Sequence, residues 1–356
     1  MKIALIEFNK YHDELFPTWI YILNEIYNNK CSIDIITRKE NKEKNVLAYC
    51  NFKNVKWRVL KKLIFRIMLY SNYVNMYLKK YDILIFNSIE PERIIKIVKR
   101  LNRISYAVIH NGIIVQTRES YKELIMNNNM IPIFLSENIS KYCFNTKSNY
   151  ITPYYLGEKP DEERKIEKVL FLIQGNLSFE RKDYVSLIKS AKKLKNEGKS
   201  EYFKFMILGN KNNLEDYYIF MELIKEESIE EMFEFSNNRL NYYEYYKEAS
   251  KSEYVLPLIH YTNACYLAYY KYSLSSSISI SVGLNKPLVI EKKLSKIYGL
   301  DQYSINYESD NLYKGIMKAL EINNEEYNNY VTKIKEYKSE CLERSINNIK
   351  KLVKNY

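Results

Sequence analysis

Short apolar runs alternate along this chain with stretches in which apolar positions return every three or four residues. The first run, Lys2-Ile-Ala-Leu-Ile-Glu-Phe8, reads as a buried strand. Asp13 opens a helical pattern through Trp19, Ile22, Leu23 and Ile26, with Pro17 near its first turn, where a missing N–H costs little. Cys31 to Thr37 is a second strand rich in β-branched residues, and Val55 to Leu60 reads either as a third or as the lead into the next helix. Tyr81 to Ser88 is a continuous apolar run, the kind found in parallel sheets covered on both faces. A helix follows from Glu92 to Leu101 with Ile94, Ile95, Val98 and Leu101 inward, then a strand from Ser105 to His110. Further short strands are expected near Ile131–Leu135 and Ile151–Tyr155.

From Gly157 to Glu167 the pattern lapses into a charged stretch with one proline and no core positions, which reads as a linker. The alternation then restarts: strand Val169–Gln174, helix 182–197, strand Phe203–Leu208, helix Leu214–Glu227, strand Met232–Ser236, a Tyr-rich helix from Tyr242 to Ala249, strand Tyr254–Ile259, another helix, and strand Pro287–Glu291. A polar amphipathic helix from Asn324 to Lys354 closes the chain, with Val331, Ile334, Cys341, Ile349 and Leu352 on its apolar side. The predicted fold class is therefore α/β, with two Rossmann-like domains facing a central cleft. Residues 1–156 form the first, 157–167 the linker, 168–322 the second, and 323–356 a helix packing back across both.

One helix stands apart, expected from about Trp57 to Lys80. At about 100° per residue, Leu60, Leu63, Ile64, Ile67, Tyr70, Val74 and Leu78 share a face. The opposite arc carries Arg58, Lys61, Lys62 and Arg66, with Phe65, Leu69 and Tyr73 among them. Cations interleaved with apolar side chains suit an anionic membrane surface. A helix packed on two sides with its lysines reaching outward gives the same pattern.

Composition adds limits. The net charge of +12 favours an anionic partner, although 36 tyrosines and abundant Lys, Asn and Ile also mark a compositional bias that raises charge by itself. Five scattered cysteines and three distant histidines offer neither a disulfide framework nor zinc-ligand spacing. No apolar run approaches the ~20 residues of a membrane span, and Glu7 arrives too early for a secretory start. A cytoplasmic setting is expected. No helix-turn-helix, zinc-finger or RNP pattern supports nucleic-acid binding.

Open α/β sheets bind ligands where strands end, so the candidates are residues just after strands. In the first half these are Asn9, His110 and Asn111, with His110 able to hydrogen-bond a sugar, stabilise a phosphate, move a proton, or simply satisfy a loop carbonyl. In the second half they are Gly175, Asn176, Asn238, Arg239 and His260. Arg181 and Lys182 follow Gly175 at a helix start, where two cations and free N–H groups suit a diphosphate. Ser275, Ser276 and Ser277 place hydroxyls at another helix start; a serine-rich cap is the plainer account.

Three stretches resemble the GT-B glycosyltransferases, loosely the types active in bacterial surface-glycan synthesis. Gly175-Asn-Leu-Ser-Phe-Glu-Arg-Lys-Asp-Tyr184 is similar to that family's post-strand glycine and basic pair. Tyr242 to Pro257, with Tyr246, Ala249, Ser250 and Tyr254, is similar to its helix–strand segment, and Ser275 to Ile290 to its donor-site helix and strand. The resemblance implies a nucleotide-diphospho-sugar co-substrate and no further cofactor or bound metal. It places the diphosphate on Arg181, Lys182 and Ser275 to Ser277, the base near Asn238 and Arg239, and His110 near the sugar as the catalytic candidate. The acceptor would be a glycan or lipid-linked intermediate. Members often carry two glutamates seven residues apart; here Ile280 stands in the second place and no acid occurs from Tyr254 to Val289, so the usual ribose-binding carboxylate is missing. A nucleotide-sugar epimerase of the same architecture and a two-lobed ligand-binding protein are the alternatives.

Overall fold

The computed structural model describes residues 1–354 except 91, 102, 128, 159–167, 210–213 and 237–239. Two six-stranded sheets are present, and every strand pairs parallel. The first runs β3-β2-β1-β4-β5-β6, from β1 (Lys2–Glu7), β2 (Ser32–Thr37), β3 (Val55–Val59), β4 (Ile83–Phe86), β5 (Ser105–Ile109) and β6 (Met130–Phe134). The second runs β12-β11-β10-β7-β8-β9, from β7 (Val169–Gln174), β8 (Phe203–Leu208), β9 (Phe233–Phe235), β10 (Tyr254–Val255), β11 (Leu288–Glu291) and β12 (Ser304–Tyr307).

The continuous apolar runs follow from covering both faces of each sheet. In β1, Ile3 and Leu5 point into one buried cluster while Ala4 and Ile6 point into another. In β7, Phe171 and Ile173 face one core and Leu172 the other. The Asn324–Lys354 helix spans the two units. Tyr327, Tyr337 and Cys341 enter the clusters of the second sheet, and Ile349 enters one of the first.

Three expectations need correction. The helix from Trp57 to Lys80 does not exist as one piece: Trp57 and Arg58 pair with Ile35 and Ile36 in β3, and helices Lys62–Tyr70 and Tyr73–Leu78 follow. They break at Ser71, whose extended backbone is accompanied by a 2.8 Å bond from its hydroxyl to the Ile67 carbonyl, a side-chain competitor for helix bonding. Before the break Met68 is buried while Ile67 is 40% exposed, and after it Val74 and Leu78 are buried as expected; the side chains of Leu63, Phe65, Leu69 and Tyr70 lie outside the described residues. The run Ile151–Tyr155 forms no strand: the residue before it, Tyr150, makes an isolated bridge with Phe134, and Pro153 has no N–H for a ladder. Strand Tyr254–Ile259 stops at Val255, before Pro257 and the left-handed Leu258 (φ 53°). The linker expected over 157–167 lies outside the described residues from 159 onward. No helix among the described residues is long and apolar enough to cross a membrane.

The segment denied a strand finds its partners on the long helix instead. The Thr152 N–H donates to Ser345 Oγ at 3.0 Å, the Thr152 hydroxyl reaches the Cys341 carbonyl at 3.1 Å, and Asn348 donates to the Tyr150 carbonyl at 3.2 Å, all buried. Ser345→Ala leaves the Thr152 N–H unpaired in the interior, which costs about 1–3 kcal/mol. Denaturant unfolding should show that loss through a lower midpoint at unchanged slope.

Candidate functional site

Parallel pairing puts the carboxyl end of every strand in a sheet on one edge, and the candidate residues gather there. At the second sheet β7 ends in Gln174, and Gly175 turns the chain at φ 99°, a conformation that favours glycine. A Cβ on Gly209 would stand 2.0 Å from the Gly175 carbonyl oxygen, so the ends of β7 and β8 abut without side chains between them. Asn176 lies exposed on this shelf.

Lys182 folds inward from there. Its Nζ donates to the Pro257 carbonyl at 3.0 Å and reaches Ser277 Oγ at 3.5 Å. Ser277 belongs to the first turn of the Ser276–Leu284 helix, capped by Ser275, whose hydroxyl accepts the Ser277 N–H at 3.3 Å. The Ser276 and Ser277 hydroxyls donate to Gln174 Oε1 at 2.8 and 3.3 Å. A buried cation, two hydroxyls and a positive helix end thus meet at one sheet edge, an arrangement complementary to a phosphate group. Burial, with the charge of Arg181 beside it, lowers the Lys182 pKa to about 8. Arg181 itself is exposed.

His260 occupies a different place from the one expected. It is fully buried, with Nδ1 at 2.7 Å from Asp183 Oδ2 and Nε2 at 2.7 Å from the Tyr307 hydroxyl. Both ring nitrogens are committed, so the expected direct contact with a donor is corrected to bracing. Asp183 also accepts the Ser186 N–H at 2.9 Å and caps the Tyr184–Asn196 helix, fixing the turn that carries Lys182. Asn238 and Arg239 lie outside the described residues.

The first sheet edge is built from acids and two stacked histidines. Glu7, at the end of β1, accepts the Asn9 N–H at 2.7 Å and the Ser88 hydroxyl at 3.0 Å, and burial lifts its pKa to about 8. Asn9 is tied into this network through Nδ2 to Ser88 Oγ at 2.7 Å. Beyond it His12, at φ 71°, stacks on His110 with ring centroids 3.5 Å apart. His12 Nδ1 is 3.4 Å from Glu14 Oε1, and Nε2 is 3.9 Å from Glu90 Oε2. Burial opposes an imidazolium here, but the hydrogen bond and charge of Glu14, with Glu90 and Glu7 adding, push His12 up to about 9. His110 goes the other way, to about 3, through burial and then the charge of His12. Its Nε2–H donates to the Asn87 carbonyl at 2.9 Å. Asn111 accepts the Ile113 N–H at 3.2 Å and starts a short helix.

A cavity of about 390 Å³ opens beside His12, with Asn9, Lys10, Arg38, Glu90 and Arg93 on its wall. The two units touch: the Tyr242 hydroxyl lies 3.4 Å from Asp13 Oδ1 and 3.5 Å from Glu14 Oε2, and the Gly112 N–H donates to the Tyr272 carbonyl at 2.8 Å. Sequence reasoning missed His12, Glu14, Glu90 and Gln174. The strand-end rule that selected Asn9 extends to the whole loop before the next helix, and His12 is the one imidazole in that loop.

No family model and no curated protein sequence matches the chain. Solved structures do. HepE of Anabaena, in complex with UDP, superposes over 100% of both chains with a TM-score of 0.67 at 11% identity. A putative UDP-N-acetylglucosamine 2-epimerase from Listeria monocytogenes matches over 93% of this chain and 90% of its own, with a TM-score of 0.58 at 9% identity. A glycosyltransferase from Rickettsia africae matches over 99% and 97%, with a TM-score of 0.56 at 11% identity. The fold is GT-B. With two parallel Rossmann-like sheets and a helix crossing between them, the GT-B architecture sets the Lys182 and His12 clusters at the carboxyl edges of separate sheets.

The opposed histidine shifts are directly measurable. With only three histidines in the chain, ring C–H signals in NMR should show one titrating near pH 9 and another staying neutral well below its ordinary value. A folded pKa raised above 6.5 means the His12 ion pair stabilises fully below pH 6.5 and loses that contribution as pH rises through about 9. Glu14→Gln should bring the high value down towards the ordinary one; an unmoved titration would separate Glu14 from His12.

Proposed function

We propose that this protein is a glycosyltransferase that moves a sugar from a nucleotide-diphospho-sugar to a glycan or lipid-linked acceptor. The observation that carries the reading is the meeting of buried Lys182 with the Ser275–Ser277 helix start. A leaving diphosphate needs fixed positive charge in a place that requires no reorganisation. HepE, of the same fold, was solved with UDP, which supports a uridine diphosphate donor here.

In this reading the acceptor hydroxyl attacks the anomeric carbon, its proton passes to a neutral histidine, and the bond to the diphosphate oxygen breaks. The role expected of His110 falls to His12, which lies on the cavity wall, while His110 is held behind it by the Asn87 carbonyl. His110 keeps the ring of His12 in place by stacking. Arg181 and Asn176 lie on the donor side, and Asn9 and Asn111 shape the acceptor side. The chain works without a bound metal, in the cytoplasmic compartment. The exposed Lys61, Lys62 and Arg66, together with exposed Ile67, face an anionic membrane; vesicles rich in phosphatidylglycerol should float the protein in a density gradient, and K61E/K62E should leave it at the bottom. Equal flotation of both would remove the membrane from the reading.

The epimerase reading stays alongside because the Listeria protein shares the fold. Incubation with UDP-sugars and no acceptor separates the two: an epimerase converts the donor alone, a transferase does not.

For the transferase at saturating donor, kcat/KM for the acceptor should rise with pH as His12 loses its proton, up to about 9, and that limb should move to lower pH in Glu14→Gln. Lys182 is charged below about 8 and loses its charge above it, so UDP affinity should fall at alkaline pH. Lys182→Ala should weaken UDP binding tenfold or more at pH 7 and remove that fall. Calorimetry with intact affinity in Lys182→Ala would remove the donor site.

A further inference from the structure

His12 stands in a backbone conformation that its own chemistry does not favour. With φ 71° and ψ 10° it lies in the left-handed region, which a residue with a Cβ visits rarely. Such a conformation persists where the surroundings impose it. The local chain supplies one long tie, from the Leu15 N–H to the His12 carbonyl at 3.4 Å. A second tie comes from a distant residue: Asn87 Nδ2 donates to the same carbonyl.

Asn87 directly follows β4, is fully buried, and does not line the cavity beside His12. Its N–H donates to the Ile6 carbonyl at 2.8 Å, so the first sheet fixes its backbone. Glu7, the last residue of β1, steadies its side chain. Glu7 Oε2 lies 3.4 Å from Asn87 Nδ2, while Glu7 Oε1 accepts the Asn9 N–H and the Ser88 hydroxyl. The amide nitrogen thus points between two acceptors, as a donor should. Its oxygen does less well: Asn87 Oδ1 is buried without a partner. A buried acceptor left unpaired is unfavourable, so the amide is oriented to serve the His12 carbonyl at the expense of its own oxygen.

The main chain of the same residue holds the second ring. The Asn87 carbonyl accepts the His110 Nε2–H at 2.9 Å. Asn87 therefore reaches His12 through its side chain and His110 through its backbone, and the two rings stack 3.5 Å apart.

We propose that Asn87 is a positioning residue, which holds His12 in its left-handed turn and in register with His110 so that the His12 ring faces the cavity. The catalytic task this serves rests on the transferase reading; the positioning is a property of the fold. Without the Nδ2 donor the turn relaxes, and the His12 ring leaves both Glu14 and its stack. The acids facing His12 are Glu14 in its own loop, Glu7 from β1 and Glu90 after β4. Lys10, Arg38 and Arg93 share the cavity wall with it. Since the acids outweigh burial at the present position, displacement lowers the His12 titration, and loss of that neighbouring charge raises the His110 titration.

The test uses the full chain and NMR of the ring C–H signals. In the wild type the two titrations lie far apart, near 9 and near 3, and the stacked rings displace each other's signals through their ring currents. Asn87→Ala should bring the two titrations together, each moving by about one unit or more towards the ordinary value, and should abolish the displacement. UDP affinity in calorimetry should stay within twofold of the wild type. Asn87→Ser carries a hydroxyl too short to reach the His12 carbonyl; it should behave in the same way and replaces the alanine variant if that one fails to fold. With water as the acceptor, UDP release from UDP-glucose should fall tenfold or more in Asn87→Ala and in His12→Ala alike. Should His12→Ala release UDP at the wild-type rate while the Asn87 variants merge the two titrations, the base reading fails and the positioning stands. Widely separated titrations with an intact stack in the folded Asn87 variants overturn the positioning role, and so does a loss of UDP release with the titrations unmoved.

Discussion

Parallel strand pairing is the constraint on which this molecule depends. A parallel sheet needs a crossover after each strand, and here the crossovers cover both faces, so every buried strand must be apolar on both sides. Polar chemistry is thereby pushed mostly to the strand ends, with Asp34, buried in mid-β2 and held by Arg58 and Tyr81, an exception. Glu7 and Gln174 each sit at the last residue of a strand, and the loops that follow hold His12 and Lys182; the Ser275–Ser277 turn lies in the connection that follows β10. The two clusters are consequences of one rule applied to two sheets.

The clusters differ in how burial is used. In the second unit burial weakens a cation: Lys182 is kept near the edge of its charged range, so an arriving anion finds a group that gains from being paired. In the first unit acids outweigh burial, and His12 is held charged by Glu14 while its stacked neighbour His110 is held neutral. Two identical side chains 3.5 Å apart thus acquire opposite tendencies from their neighbours alone.

Most of the architecture was legible in the sequence because it rests on periodicity. The apolar runs at β1, β4, β7 and β8 and the long amphipathic helix 324–354 are where the pattern puts them. The errors lie where one residue overrides a pattern. Pro153 and Pro257 withhold the N–H that a ladder needs, and Ser71 interrupts a helix that hydrophobic spacing carries straight through. The ladder with β2 also takes Trp57 and Arg58 out of that helix. Strand β12 is short and polar enough to give little signal. On the sites, a loop residue was readable when it followed a strand directly, as Asn9 and Gly175 do. His12 was not, since its importance comes from Glu14, Glu90 and His110, and the last two are brought to it only by the pairing of β4 and β5. His260 was misread for the converse reason: nothing in the sequence says that Asp183 and Tyr307 occupy both its nitrogens.

The helix that crosses between the units also has a bearing on the order of events during synthesis. Ile349 completes a core cluster that begins with Ile3 and Leu5, and the Tyr106 hydroxyl donates to the Leu352 carbonyl. A first unit that folded on emerging from the ribosome would therefore leave an apolar groove open until residues 345–353 arrived. The second sheet, translated in between, waits on the same helix for Tyr327, Tyr337 and Cys341. Completion of the amino-terminal unit is thus a late step despite its early emergence, and a chaperone that shields this groove would act on the nascent chain after β6 and before the final helix.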